Sequence, residues 1–212
     1  MTAKELKKQE RVQNYENQRA ALRDQGYQET VLTISVLKAN VMAVIITLPI
    51  IVVCIMGYTL IHGGFTLLGA SGIRGVVNSL LFLAGIVALI VVHELLHGIG
   101  WSLFCKNKWK SVIFDVMWDN LTPYCHCKEP LAFGPYLFGA MLPLFVTGFG
   151  LFALALWLGS AGVFFLSVLA MIAAGGDLTL ALMLLKHRKA AYIMDLPVDI
   201  GCSVFSKATA NS

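Results

Sequence analysis

Four long apolar runs, separated by polar connections, set the architecture of this chain. They fall at Ala39–Ile61, Val76–Phe104, Tyr136–Leu158 and Ala161–Leu185. Each is long enough to cross a hydrocarbon layer of ~30 Å as a helix, which takes about 20 residues. Gly159-Ser160 makes a tight turn between the last two. Before them lies a polar lead-in, residues 1–38, in which Lys4 to Arg23 reads as a solvated or interfacial helix. Gly26 and Tyr27 break it, and Thr30 to Ile34 alternates like a strand. Within the connection 105–135, Ser111 to Trp118 is rich in β-formers. Asp119-Asn120 signals a turn, and Thr122 to Lys128 returns as a second strand. The pattern predicts an all-α polytopic membrane protein with four transmembrane helices and a short cytosolic β-hairpin between helices 2 and 3. Residues 39–185 form the membrane domain, and 186–212 form a C-terminal tail.

Composition agrees with that reading. Of 212 residues, 58% are hydrophobic and 13% charged, against about 25% charged in soluble domains, and the mean hydropathy is +0.75. Fifteen of the sixteen Lys and Arg residues lie before the first run, in the 105–135 connection or after the last run; only Arg74 lies on the other side. That asymmetry predicts four crossings of the cell membrane with both termini cytosolic. The segment Met1 to Asn40 is too long and too mixed in charge for a signal peptide. Basic residues flank the spans instead of forming a stripe, so nucleic acid is not an expected partner. Five cysteines at scattered spacing make no disulfide framework. Cysteines facing the cytosol are expected to be reduced, and Cys54 reads as a small core residue.

The second run changes the picture from membrane protein to candidate enzyme. It contains His93-Glu94-Leu95-Leu96-His97, the pattern H-E-x-x-H. On a helix an i,i+4 pair faces one way, about 6 Å apart, where one tetrahedral Zn²⁺ takes both imidazoles. Glu94 then stands where a general base for water is needed. Two imidazoles and a carboxylate in apolar surroundings are costly unless paired or metal-bound. The second and fourth spans run parallel in the four-crossing arrangement. His97 precedes Lys106 by nine residues and Asp177 precedes Lys186 by nine, so both lie about 14 Å below the cytosolic boundary. Asp177, the one acid of the last span, is therefore the candidate third ligand, and Gly175-Gly176 would let helices approach closely enough for it to bridge them. Two neutral histidines, Asp177 and Glu94 around Zn²⁺ sum to zero formal charge.

The hairpin offers further chemistry. An open strand edge near the site would pair with an extended peptide and present its backbone for attack; a hairpin that only packs is the equal alternative. In Cys125-His126-Cys127, alternation puts the two sulfurs on one strand face and His126 on the other, a poor arrangement for one ion. His126 is instead a candidate catalytic residue, polarising a substrate carbonyl or stabilising the oxyanion. Pro143, with Gly134, Gly139, Gly148 and Gly150, kinks the third span, either to admit water or to pack. His62 and His187 lie at span ends and read as interfacial.

The run HELLHG in a span, the stretch Pro123-Tyr124-Cys125-His126-Cys127-Lys128-Glu129-Pro130, and Gly175-Gly176-Asp177-Leu178 together resemble the bacterial membrane family described as putative zincin peptidases. Asp195-Leu196-Pro197 and Gly201 resemble its C-terminal portion, so the likeness runs over about 30–205. More distantly the chain is similar to site-2 proteases. The resemblance implies His93, His97 and Asp177 as zinc ligands and Glu94 as base. It also implies cleavage of membrane-protein or peptide substrates within the lipid bilayer. The chain lacks the Asn-Pro-Asp-Gly run and the PDZ insert of typical site-2 proteases, which bears on regulation and substrate choice. A non-catalytic metal-binding membrane protein, a transporter or sensor, is the alternative; it would spread ligands over several depths. Haem between paired histidines is disfavoured because both lie on one helix face. Substrate and oligomeric state stay open.

Overall fold

Serine caps and left-handed glycines mark where the apolar runs begin and end. The structure, a computed structural model, describes residues 3–65, 73–117, 122–198 and 200–207. Trp118 and the expected turn Asp119-Asn120 lie outside the described residues. Helix α1 spans Ala3–Asp24 and strand β1 Tyr27–Thr33. Ser35 then opens α2, Val36–His62, by accepting the Lys38 N–H on its hydroxyl at 3.4 Å, and Gly63 closes it at φ 72°. A side-chain oxygen at the N-cap and a glycine past the C-terminus satisfy backbone groups that helix ends leave unpaired. Helix α3 follows over Ile73–Ser102.

The third apolar run is α4, Phe133–Pro143, a π-helical stretch Leu144–Phe149, and α5, Gly150–Leu158. Pro143 has no N–H to give the preceding turn, and the widened stretch begins directly after it. The fourth run breaks as well. Ser160 caps α6, Ala161–Ala173, and α7, Gly175–Leu185, sets off at 40° to it. Among the described residues three helical runs are long and apolar enough to cross a membrane, and the bent α6–α7 pair makes a fourth when taken as one span. Exposed Val91, Val92, Leu95 and Ile99 stud the outer face of α3, and exposed apolar surface of this extent marks a membrane-facing protein.

The all-α expectation is too narrow, because two antiparallel sheets gather at one end of the helices. Strands β2, Val112–Met117, and β3, Thr122–Cys127, form the expected hairpin, with Val112 opposite Cys127. The second sheet joins β1 to the end of the chain. Its order is β1-β5-β4, with β4 at Tyr192–Asp195 and β5 at Gly201–Lys207. Thus strands that precede the first apolar run and follow the last one meet in one sheet. Helix α1 covers the sheet through Tyr15 and Leu22 against Met194 and Phe205. Beneath it Glu29, its side chain 3% exposed, accepts from Arg19 at 2.7 Å, Arg23 at 2.6 Å, Tyr15 at 3.0 Å and Ser203 at 2.8 Å.

Helix α1 also grips the hairpin. Arg11 pairs with Asp115 at 3.1 Å and hydrogen-bonds the Tyr124 hydroxyl, while Asn14 and Gln18 donate to the Lys128 carbonyl. Backbone bonds between Leu131 and Ile193 tie the connection to β4.

Candidate metal centre

The inner face of α3 carries His93, His97, Gly100 and Trp101, all buried, at helical spacing. The outer face carries the exposed aliphatic residues. The motif histidines therefore point into the protein because the same periodicity that turns Val91, Val92 and Leu95 outward turns them inward.

Two further elements complete the cluster. Helix α4 lies against α3 at glycine contacts: a Cβ on Gly139 would fall 2.1 Å from the Trp101 ring, so only glycine permits the approach. Helix α7 delivers Asp177 in its first turn, at the break in the fourth run, where a carboxylate also suits the helix dipole. The close approach at Gly175 is made to Ala43 of α2, not to α3, since a Cβ there would lie 2.6 Å from the Ala43 Cβ. Asp177 thus reaches the histidines from a helix anchored on α2.

The donor geometry is specific. His93 Nε2 and His97 Nε2 are 3.2 Å apart; Asp177 Oδ2 is 3.2 Å from the first and Oδ1 is 3.4 Å from the second. The Gly139 carbonyl can only accept, so its 2.9 Å contact with His97 Nδ1 places a proton there, and the neutral ring then offers Nε2 as a lone pair. Two imidazole nitrogens and a carboxylate thus converge on one point. Asp177 Oδ2, facing His93 Nε2, is buried without a hydrogen-bond partner; the equally unpaired His93 Nδ1 lies on the far side of its ring from the triangle. A buried carboxylate oxygen in that state fits a cation placed between it and the imidazole nitrogens. A tetrahedral ion with bonds of about 2.0–2.1 Å separates its ligand atoms by ~3.3 Å, which the observed distances match. Nitrogen and carboxylate donors suit Zn²⁺. Among the described residues this is the one cluster of three such side chains close enough to share an ion.

Glu94 stands beside the triangle and outside it. It is half-buried, senses the charges of His93, His97 and Asp177, and faces the backbone N–H of Cys125 on β3. The hairpin therefore reaches further than the mouth of the site. Phe114 lies so close to Gly98 that a Cβ there would be 2.5 Å from its ring. Burial, with Glu94 nearby, pushes the Cys125 thiol pKa well up, so it stays neutral.

His126 is not part of this cluster. Strand alternation turns it to the opposite side, where its Nδ1 lies 3.8 Å from Asp195 Oδ2. Burial lowers its pKa, as do Arg11 and Lys128, against the opposing effect of Asp195. Cys127 points away from His126 as alternation requires and meets Cys105 at 3.4 Å, both as free thiols.

Sequence reasoning missed the residues that back the cluster. Trp101 stacks on His97 with ring centres 5.2 Å apart, and Tyr136 stacks on Trp101 at 5.6 Å. Trp101 donates to the Tyr136 carbonyl at 2.9 Å. The Tyr136 hydroxyl donates to Asp195 Oδ1 at 2.5 Å, and the Cys127 N–H donates to Asp195 Oδ2 at 2.8 Å. Asp195 thus holds α4 and β3 to β4. Trp101, four residues after His97, was findable from helical spacing; Asp195 carried no local signal.

Nothing among the curated proteins or the solved structures matches the chain. The profile of a protein family described as "putative zincin peptidase" matches residues 86–192, half of the chain. That match takes in the helix bearing both histidines, the hairpin beside Glu94 and the break that delivers Asp177, and the chain belongs to this zincin peptidase family.

Proposed function

We propose that the protein is a zinc-dependent intramembrane endopeptidase of the site-2-protease kind, hydrolysing peptide bonds of membrane-protein substrates. One observation carries this reading: the ligand atoms of His93, His97 and Asp177 converge at 3.2–3.4 Å beside a carboxylate, on helices apolar enough to lie in a bilayer. Zinc held there supplies a Lewis acid that acidifies water and polarises a carbonyl. His93, His97 and Asp177 hold the ion. Glu94 takes a proton from the attacking water on its carboxylate and returns it to the leaving amine nitrogen. The Cys125 N–H orients that carboxylate, and the wall formed by Phe114 and Trp101 keeps bulk water from the histidine face. His126 acts through the hairpin, by holding β3 against Asp195, and does not polarise the substrate itself. With both termini cytosolic, the hairpin and the β1-β5-β4 sheet close the cytosolic side of the site, and the substrate helix unwinds locally to offer its backbone.

The test is direct. Full-length protein purified in detergent is expected to hold about one zinc per chain, and Glu94→Gln to keep the metal while losing proteolysis. Fragments of membrane proteins would accumulate in cells carrying the wild type and not the variant. Stoichiometric zinc with equal cleavage patterns in both would favour the transporter or sensor reading, and absence of metal would reject the proposal.

A further inference from the structure

The carbonyl that fixes His97 belongs to Gly139, inside α4. In an unbroken helix that carbonyl would accept from the N–H four residues on. Residue 143 is proline, which has no N–H to offer. The next amide, Leu144, is turned to the Met141 carbonyl. The oxygen left without its helical donor is the one that accepts from His97 Nδ1 at 2.9 Å. The absence of a side chain at Gly139 lets it come that near, against Trp101.

We propose that Pro143 is a positioning residue for the metal centre: by withholding its N–H it reserves the Gly139 carbonyl for His97, which fixes the tautomer and aims Nε2 at the ion. The inference rests on the zinc reading above and goes beyond it, because Pro143 touches neither ligand nor substrate. Outer-shell acceptors of ligand imidazoles set ring orientation and basicity, and their loss costs about 10–100-fold in metal affinity. Pro143→Ala supplies a competing N–H within the helix and leaves every ligand in place.

The experiment measures zinc affinity of the full chain in detergent by competition with a chromophoric chelator. Pro143→Ala is expected to bind zinc about tenfold more weakly than wild type. Pro135→Ala lies in the first turn of α4, where an N–H has no intrahelical acceptor, and is expected to bind as wild type does. Equal affinity for Pro143→Ala and wild type would overturn the proposal, as would equal weakening in both variants. Wild-type protein that takes up no zinc would instead overturn the metal reading beneath it. Should Pro143→Ala fail to fold, nitrogen-15 spectra of histidine-labelled, metal-free wild type decide the matter. The signals lost in His97→Gln are expected to be those of an Nδ1–H imidazole, and an Nε2–H form would overturn the proposal.

Discussion

Replacing Asp195 with asparagine separates support of the site from the site itself. Each carboxylate oxygen accepts from a different donor, Tyr136 on Oδ1 at 2.5 Å and the Cys127 N–H on Oδ2 at 2.8 Å. Asparagine has one accepting oxygen, so whichever way the amide turns, one of those donors faces an NH₂ group. Hydrogen bonds to a charged acceptor are each worth about 1.5–3 kcal/mol. Only 12% of the Asp195 side chain is exposed, so water replaces the lost acceptor poorly. At ~1.36 kcal/mol per decade, the loss corresponds to opening of the hairpin roughly ten- to a hundred-and-fifty-fold more often. Amide hydrogen exchange of the full chain in micelles reads this directly. Peptides covering 112–127 in Asp195→Asn are expected to exchange faster by that factor, while zinc affinity stays at the wild-type value because Asp195 touches no ligand. Unchanged exchange in those peptides would refute the idea that Asp195 anchors β3, and a parallel loss of zinc would show that it acts on the ligands.

Other outcomes follow from the same geometry. Asp177→Ala removes one of three ligands and is expected to weaken zinc binding by at least about a hundredfold, beyond the range for outer-shell losses, as read by chelator competition. Gly139→Ala would place a methyl 2.1 Å from the Trp101 ring; it should cost about 1–3 kcal/mol or more and lower both thermal stability and zinc affinity. Glu29→Ala removes the acceptor shared by Arg19, Arg23, Tyr15 and Ser203, leaving Tyr15 and Ser203 paired with each other. A cost of about 1–3 kcal/mol should make α1 more sensitive to limited proteolysis without changing metal content. The pH dependence has a defined sign. His126 has its pKa lowered by burial, so the unfolded form binds its proton first. Stability of the hairpin should fall as pH drops below about 6.5, and His126→Phe should flatten that dependence in exchange measurements. Glu29 adds a second loss at lower pH. Burial alone would raise its pKa, but the hydrogen bonds from Arg19, Ser203 and Tyr15 outweigh it and hold the carboxyl below its ordinary value. Its contribution is present above that ordinary value and disappears as acid protonates it.

The spans, the hairpin and the convergence of His93, His97 and Asp177 were legible because each leaves a local trace. A helical period, a β-rich stretch with a turn, and equal spacing from basic boundaries all survive in one sequence. The β1-β5-β4 sheet was not legible. Its central strand is buried on both faces from Cys202 to Val204, so it lacks the alternation by which a half-exposed strand declares itself. The break at Ala174 was hidden for a related reason: Gly175-Gly176 reads equally as a packing surface or as a hinge, and here Gly175 serves α2 at the point where the helix bends. Pro143 was visible as an interruption, but which carbonyl it frees, and for whom, depends on α3 lying alongside. His126 was given a catalytic role from its residue type; that its ring would lie near Asp195 depends on β4 packing beside the hairpin and left no local trace.

Strand β5 is the only partner of both β1 and β4 within its sheet. While a ribosome is still adding residues 201–207, β1 has no strand beside it in the sheet and β4 has only its backbone bonds to Leu131. The histidine helix by then has long been synthesised. Every candidate ligand is therefore made before the strand that joins β1 to β4, and the support of β3 through Asp195 is completed only after the ligands exist.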